Sequence, residues 1–246
     1  MTIRPLLQLF AHLAGTAFRI LPRKKRYAAA RRIALMVAPL LVRSGYIERR
    51  PSLLDGPREE ALRMVLRTMT RARVEFNPEV EVRGGDLIAG RAVLIVSGHF
   101  LLNIHMSRML FDAGRRFTAI LGGPREPMYY FGTTVPIDFH YADSNVFLRM
   151  RQTLSEGSGV GFAIAELGTR QENWIEVRTV AGPRYVSKAA FAFAARTRTP
   201  VVFGATYLNP EGRVTITYEE PQATDGEGLT AEFCEFLTRH AAAVVR

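Results

Sequence analysis

Apolar residues recur at helical spacing from Leu6 to Leu21, at Leu6, Leu7, Leu9, Phe10, Leu13, Ala14, Ala17, Phe18 and Leu21, and Pro22 then stops the helix. The stretch is shorter than the roughly 20 residues needed to cross a bilayer. It also carries Gln8, His12 and Arg19. It therefore reads as an amphipathic helix lying in a membrane interface, with the basic run Arg23 to Arg26 at headgroup level. The alternative is a helix docked on its own domain with a solvated charge cluster beyond it. A second helix is expected from about Tyr27 to Val42 and a third from about Arg58 to Arg73, with Pro51, Gly56 and Pro57 in the turn between them.

After Gly84 and Gly85 the pattern changes to short apolar runs of strand length. These are Ala92 to Val96, Phe117 to Leu121, Val160 to Ala165, Pro200 to Ala205 and Val214 to Tyr218. Helical stretches separate most of them: Ile104 to Ala113, Ser144 to Glu156, Ser187 to Thr197 and a last one from about Thr230 to Ala243. Alternating strands and helices predict an α/β fold, a mostly parallel central sheet flanked by helices, with an N-terminal amphipathic helix and helical extension. No internal repeat or domain-splitting linker is visible. The expected organisation is a basic membrane-associating segment at 1–26 followed by a single α/β domain at 27–246.

The charge sharpens this division. The chain of 246 residues has a formal net charge of +10, and residues 1–50 hold all of it. Arg4, Arg19, Arg23, Lys24, Lys25, Arg26, Arg31, Arg32, Arg43, Arg49 and Arg50 stand there against Glu48 alone. A basic head on a neutral body suits nucleic acid, an acidic carrier protein or the anionic face of a membrane. Because the charges are interleaved with Leu and Phe, the membrane is favoured, and nucleic acid is not the expected partner. At 48% hydrophobic residues the chain can bury a substantial core, which excludes a disordered or fibrous class. The lone Cys234 cannot form an internal disulfide, and no signal-peptide pattern is present, so the expected compartment is the cytoplasmic side.

Candidate chemistry centres on Ala92-Val-Leu-Ile-Val-Ser-Gly-His99-Phe, a strand running through a small turn straight into a histidine. In open α/β sheets ligands bind outside the carboxyl ends of the strands, where an imidazole can exchange protons near neutral pH. A second strand, from Gly159, ends at Glu166, followed by Leu-Gly-Thr-Arg170. If the two strands are near neighbours, His99 and Glu166 share one rim and the carboxylate could orient the imidazole. The competing reading of Glu166 is a salt bridge to Arg170 or another rim arginine. Gly157-Ser-Gly-Val-Gly161 has the wrong spacing for a serine-nucleophile elbow, and no His or Cys spacing suits a metal. Cys234 lies among Phe233, Phe236 and Leu237, the setting of a core thiol.

The strand ending in Ser97-Gly-His99-Phe100 resembles the block of the lipid A late acyltransferases, within the lysophospholipid acyltransferase superfamily, where Gly-x-His-Phe opens a His-x4-Asp/Glu motif. The likeness extends, in shared order, to Ala113-Gly-Arg-Arg-Phe-Thr-Ala-Ile-Leu, to Leu154 through Glu166, and to Gly182-Pro-Arg-Tyr-Val-Ser-Lys followed by Ala189 to Val202. The resemblance implies transfer of a fatty acyl group from an acyl carrier protein or coenzyme A thioester to a hydroxyl or amine of a lipid or glycolipid acceptor. His99 would be the general base, no cofactor would be needed, and the setting would be the cytoplasmic face of a bacterial inner membrane. One departure matters: the family's acid falls at position 104, which here is Ile104. Either Asn103 holds the imidazole, or Glu166 substitutes for the missing acid, or activity is lost and a lipid-binding relative remains. Arg184, with Ser187 opening a helix, is the expected grip on a phosphate of donor or acceptor, with Arg170 and Arg149 as further candidates.

Overall fold

The computed structural model describes residues 15–45, 57–72, 74–76, 78–121, 129–130, 133–134, 138–141, 145–167, 172, 174–180, 182–209 and 211–245. Helical residues 15–20 and a 3-10 turn at Arg23–Lys25 lead into α1 (Arg26–Arg43), which is followed by α2 (Pro57–Arg71). Tyr27, Ala30, Ala34 and Ala38 recur on one face of α1 and are buried together with Ala61, Leu62, Leu66 and Met69 of α2. The small alanine side chains let the helices approach closely. The buried Arg26 guanidinium donates to the carbonyls of Arg19 at 3.0 Å, Leu21 at 3.1 Å and Glu75 at 2.6 Å. It thereby satisfies carbonyls at the end of the preceding helical turn and ties that turn to the chain beyond α2.

The central sheet collects the long apolar runs. Among the described residues it has seven strands in the order β1 (Val80–Arg83), β12 (Val214–Glu219), β11 (Val201–Leu208), β2 (Val93–Ser97), β7 (Val160–Ile164), β3 (Phe117–Leu121) and β6 (Asp138–Tyr141). From β11 to β6 every pairing is parallel. β12 runs antiparallel to β11, and β1 pairs parallel with β12. The remaining helices are α3 (Ile104–Asp112), α4 (Val146–Ser155), α5 (Ala189–Thr197) and α6 (Gly226–Val245). A second sheet orders β8 (Glu166–Leu167), β10 (Gly182–Val186) and β9 (Ile175–Thr179), while β4 (Tyr129–Tyr130) pairs with β5 (Thr133–Thr134).

β2 shows how the layers are made. All five of its residues are buried. Val93 and Ile95 join the core shared with α1, α2 and α3, whereas Leu94 and Val96 face the opposite core, built with α4, α5 and α6. That second core is dominated by Phe191, Phe203, Phe233 and Phe236, with ring centroids between 5.3 and 6.4 Å apart. Helices thus cover both faces, which is why a parallel strand here reads as a continuous apolar run. Gly159, just before β7, has to be glycine because a Cβ there would come within 1.8 Å of the Thr153 carbonyl oxygen.

The mostly parallel α/β architecture and the helical N-terminal region are as expected. The described part of the 1–26 segment, however, is docked on the domain: Phe18 is only 3% exposed and belongs to the core of α1 and α2. Residues 1–14 lie outside the described set. Strands β1, β4, β5, β6, β8, β9 and β10 go beyond the expected set, as does the reversal of direction at β12.

Candidate active site

The parallel register of β2 and β7 pairs Ser97 with Ile164, so the residues that follow, His99 and Glu166, emerge on one rim at the carboxyl ends of both strands. Glu166 is fully buried. Its Oε2 accepts from the backbone N–H of His99 at 2.8 Å, and its Oε1 lies 2.5 Å from Nε of the equally buried Arg184 on β10. The carboxylate therefore grips the main chain of His99 and not the imidazole. Of the two readings of Glu166, the structure realises the salt bridge, with Arg184 as the arginine.

A second carboxylate holds the same turn from the other side. Glu59, buried in the first turn of α2, accepts from the backbone N–H of Leu101 at 2.9 Å. The N–H of Phe100 is taken by the Gly98 carbonyl at 2.9 Å. Asn103 does not reach the imidazole either: its Nδ2 donates to the Gly98 carbonyl at 2.9 Å, and its Oδ1 accepts from Thr206 Oγ1 at 3.0 Å. The expectation that Asn103 steadies the ring is corrected to one in which it braces the turn beneath the ring against β11. Ser97 Oγ adds a 2.7 Å bond to the Gly204 carbonyl. Ile104 is 5% exposed and packed in the core.

The His99 imidazole is itself half-buried, and its buried Nδ1 has no hydrogen-bond partner among the described residues. Burial pushes its pKa below the ordinary histidine value; the charge of Glu166 partly opposes this, while Arg184 and Arg63 reinforce it. The ring is therefore neutral at pH 7, the form that accepts a proton. Arg63, on α2, donates to Glu60 and retains 30% of its side-chain exposure.

No family model and no curated protein matches this chain. The remaining candidates are placed by the geometry alone. Arg184 is 0% exposed and directed at Glu166, so its expected role as a surface grip on phosphate is corrected to a buried counter-charge. The Ser187 hydroxyl accepts from the Ala189 N–H at 3.2 Å and starts α5. Arg149 is half-buried on α4, and Arg170 falls outside the described residues. Sequence reasoning missed Glu59 and Arg63. Glu59 could be read only as an acid in a first helical turn, a position that any helix dipole favours.

A cleft opens beside the turn between α1 and α2. Arg31 and Leu35 of α1, Arg58 and Leu62 of α2, and Leu101 and Leu102 of the His99 turn contribute to its walls. It combines guanidinium groups with leucine surface, the two chemistries of an anionic amphiphile's head and tail. Among the described residues no group of His, Cys, Asp and Glu is arranged to hold a metal ion, and no helix is long and apolar enough to cross a membrane. Burial pushes the Cys234 thiol up to about 11, so it is protonated and unreactive at neutral pH.

Proposed function

We propose that this protein is an acyltransferase working at a membrane surface, moving a fatty acyl group from an acyl carrier protein or coenzyme A thioester to a hydroxyl or amine of a lipid or glycolipid acceptor. The observation that carries the reading is His99: a neutral imidazole at the carboxyl rim of a parallel sheet, its main chain fixed on both sides by buried carboxylates. This is the placement in which α/β folds put reacting groups, and it agrees with the resemblance of Ser97-Gly-His99-Phe100 to the lipid A late acyltransferases.

In this mechanism His99 takes the proton of the acceptor hydroxyl or amine as the acceptor attacks the thioester carbonyl. The new acceptor–carbon bond forms and the carbon–sulfur bond breaks. The departing thiolate takes the proton back from the imidazolium, so no acyl-enzyme is formed. Glu166 and Asn103 serve as positioning residues, since both act on the backbone beneath the ring. A second reading, a lipid-binding relative without catalysis, is favoured by one observation: Nδ1 of His99 has no carboxylate partner among the described residues.

Single-turnover release of free thiol from a panel of acyl thioesters, with membrane lipid extract as acceptor, tests the proposal. His99→Ala is expected to lose at least about a hundredfold, the usual scale of a general base. Glu166→Gln is expected to lose activity through the turn. Wild-type protein that releases no thiol with any donor would sink the acyltransferase reading and leave the lipid-binding one.

A further inference from the structure

Exposed large apolar side chains occur singly at Phe111, Leu148 and Val180 and as a pair at Val80 and Val82, but α1 carries three together. Met36 and Leu40, one helical turn apart on α1, are 67% and 62% exposed, and Leu35 beside them is 37% exposed. Pro39 is exposed on the same helix, and the exposed Arg32 and Arg43 flank Met36 and Leu40 on either side. Residues 32, 36, 40 and 43 follow the spacing of one face, so the outer ridge of α1 reads Arg, Met, Leu, Arg. Upstream, Ile20 is 82% exposed. Residues 15–45 contain Arg19, Arg23, Lys24, Lys25, Arg26, Arg31, Arg32 and Arg43 and no acidic residue.

We propose that this outer ridge of α1 lies on an anionic lipid surface, with Met36 and Leu40 in the acyl boundary and the flanking arginines at headgroup level. Met36 and Leu40, about two-thirds exposed side by side on the outer face, form an apolar patch flanked by basic residues, the combination an interfacial helix needs. Apolar and basic side chains together along one exposed helix ridge favour an anionic bilayer, which offers acyl chains and headgroups side by side along its whole length. The placement has a structural consequence. Positions 31 and 35 lie one helical row beside 32 and 36, and Arg31 and Leu35 line the cleft that reaches Leu101 and Leu102. An amphiphile would therefore enter from the bilayer along α1 and arrive at the His99 turn without passing through bulk water. The contact surface is thus α1 itself, beyond the N-terminal segment at 1–26.

The proposal rests on the membrane-surface part of the function above but not on acyl transfer, and the two fail separately. Full-length protein is sedimented with vesicles of phosphatidylcholine containing phosphatidylglycerol, and with vesicles of phosphatidylcholine alone. Wild type is expected to bind the anionic vesicles and to be released by salt. The double substitution Met36→Glu with Leu40→Glu, at two exposed positions where folding is undisturbed, is expected to weaken binding at least about tenfold. Met36→Ser with Leu40→Ser, which leaves the charge unchanged, is expected to weaken it in the same direction. Unaltered binding in both variants overturns the proposal, as does wild-type protein that ignores anionic vesicles. So does wild type that self-associates in lipid-free buffer while the glutamate variant is monomeric, which would make the ridge an interface between copies. Vesicle binding without thiol release leaves the ridge standing and removes the acyltransferase; thiol release without vesicle binding does the reverse.

Discussion

Glu166→Gln is the substitution that probes the site most directly. The amide keeps an oxygen to accept from the His99 N–H but removes the charge opposite Arg184, and both side chains of that pair are 0% exposed. The buried guanidinium then loses the charge of Glu166. Breaking a buried pair from one side typically costs about 3–5 kcal/mol. With a urea dependence of about 2–3 kcal/mol per molar, the midpoint should fall by about 1–2 M. Replacing both partners together, Glu166→Leu with Arg184→Met, removes both desolvated charges and should recover most of that loss, although His99 then loses its main-chain anchor. The assay is urea unfolding at pH 7 of the wild type, both single variants and the double variant, followed by two spectroscopic probes to establish that one transition is observed. A cost below about 1 kcal/mol for Glu166→Gln is what an exposed pair gives, and it would refute the reasoning that the pair is dry and structural.

Three further outcomes follow from positions elsewhere in the fold. His105 is held down to about 4 by burial and bonds the Tyr27 hydroxyl through Nε2 at 2.9 Å. Between pH 6.5 and 4 the unfolded chain therefore binds a proton that the folded chain refuses, and stability should fall as pH drops through that window, by up to about 3 kcal/mol. Urea midpoints measured across the window test this, and a flat profile would sink it. Tyr27→Phe at pH 7 should cost about 1–3 kcal/mol by leaving Nε2 unpartnered. Gly159→Ala should destabilise by about 3 kcal/mol or more, since its Cβ would meet backbone and not a yielding side chain; a thermal midpoint equal to wild type would show that the turn can shift.

The central strands were legible because both faces of the sheet are covered. Val93 to Ser97 and Val160 to Ile164 are apolar at nearly every position, and a run of that kind has no reading except burial. The same logic brought His99 and Glu166 to one rim, since adjacent parallel strands deliver their carboxyl ends together. Edge strand β1 escaped notice because Val80-Glu-Val-Arg83 is largely exposed, so it carries little hydrophobic signal. β9 was readable in principle from the alternation Ile175-Glu-Val-Arg-Thr, a period of two that was passed over. What the sequence could not supply is who meets whom across distance. Arg184 looks like any loop arginine until β10 pairs with β8 and lays it against Glu166. Glu59 is joined to Leu101 only by the docking of α2 on the His99 turn.

The way that turn is held also divides the labour of the site between two bodies. The N–H groups of His99, Phe100 and Leu101 are already spent on Glu166, Gly98 and Glu59, so an oxyanion developing beside the imidazole finds none of those three amides free to receive it. Of the two cations whose fields act on His99, Arg184 is locked to Glu166 within the dry interior, while Arg63 rides on α2 and remains partly open to solvent. The sheet rim thus carries the imidazole, and α2 carries the second, partly solvated positive charge. A displacement of α2 relative to the sheet would therefore shift Arg63 and, through Glu59, pull on the His99 turn at the same time.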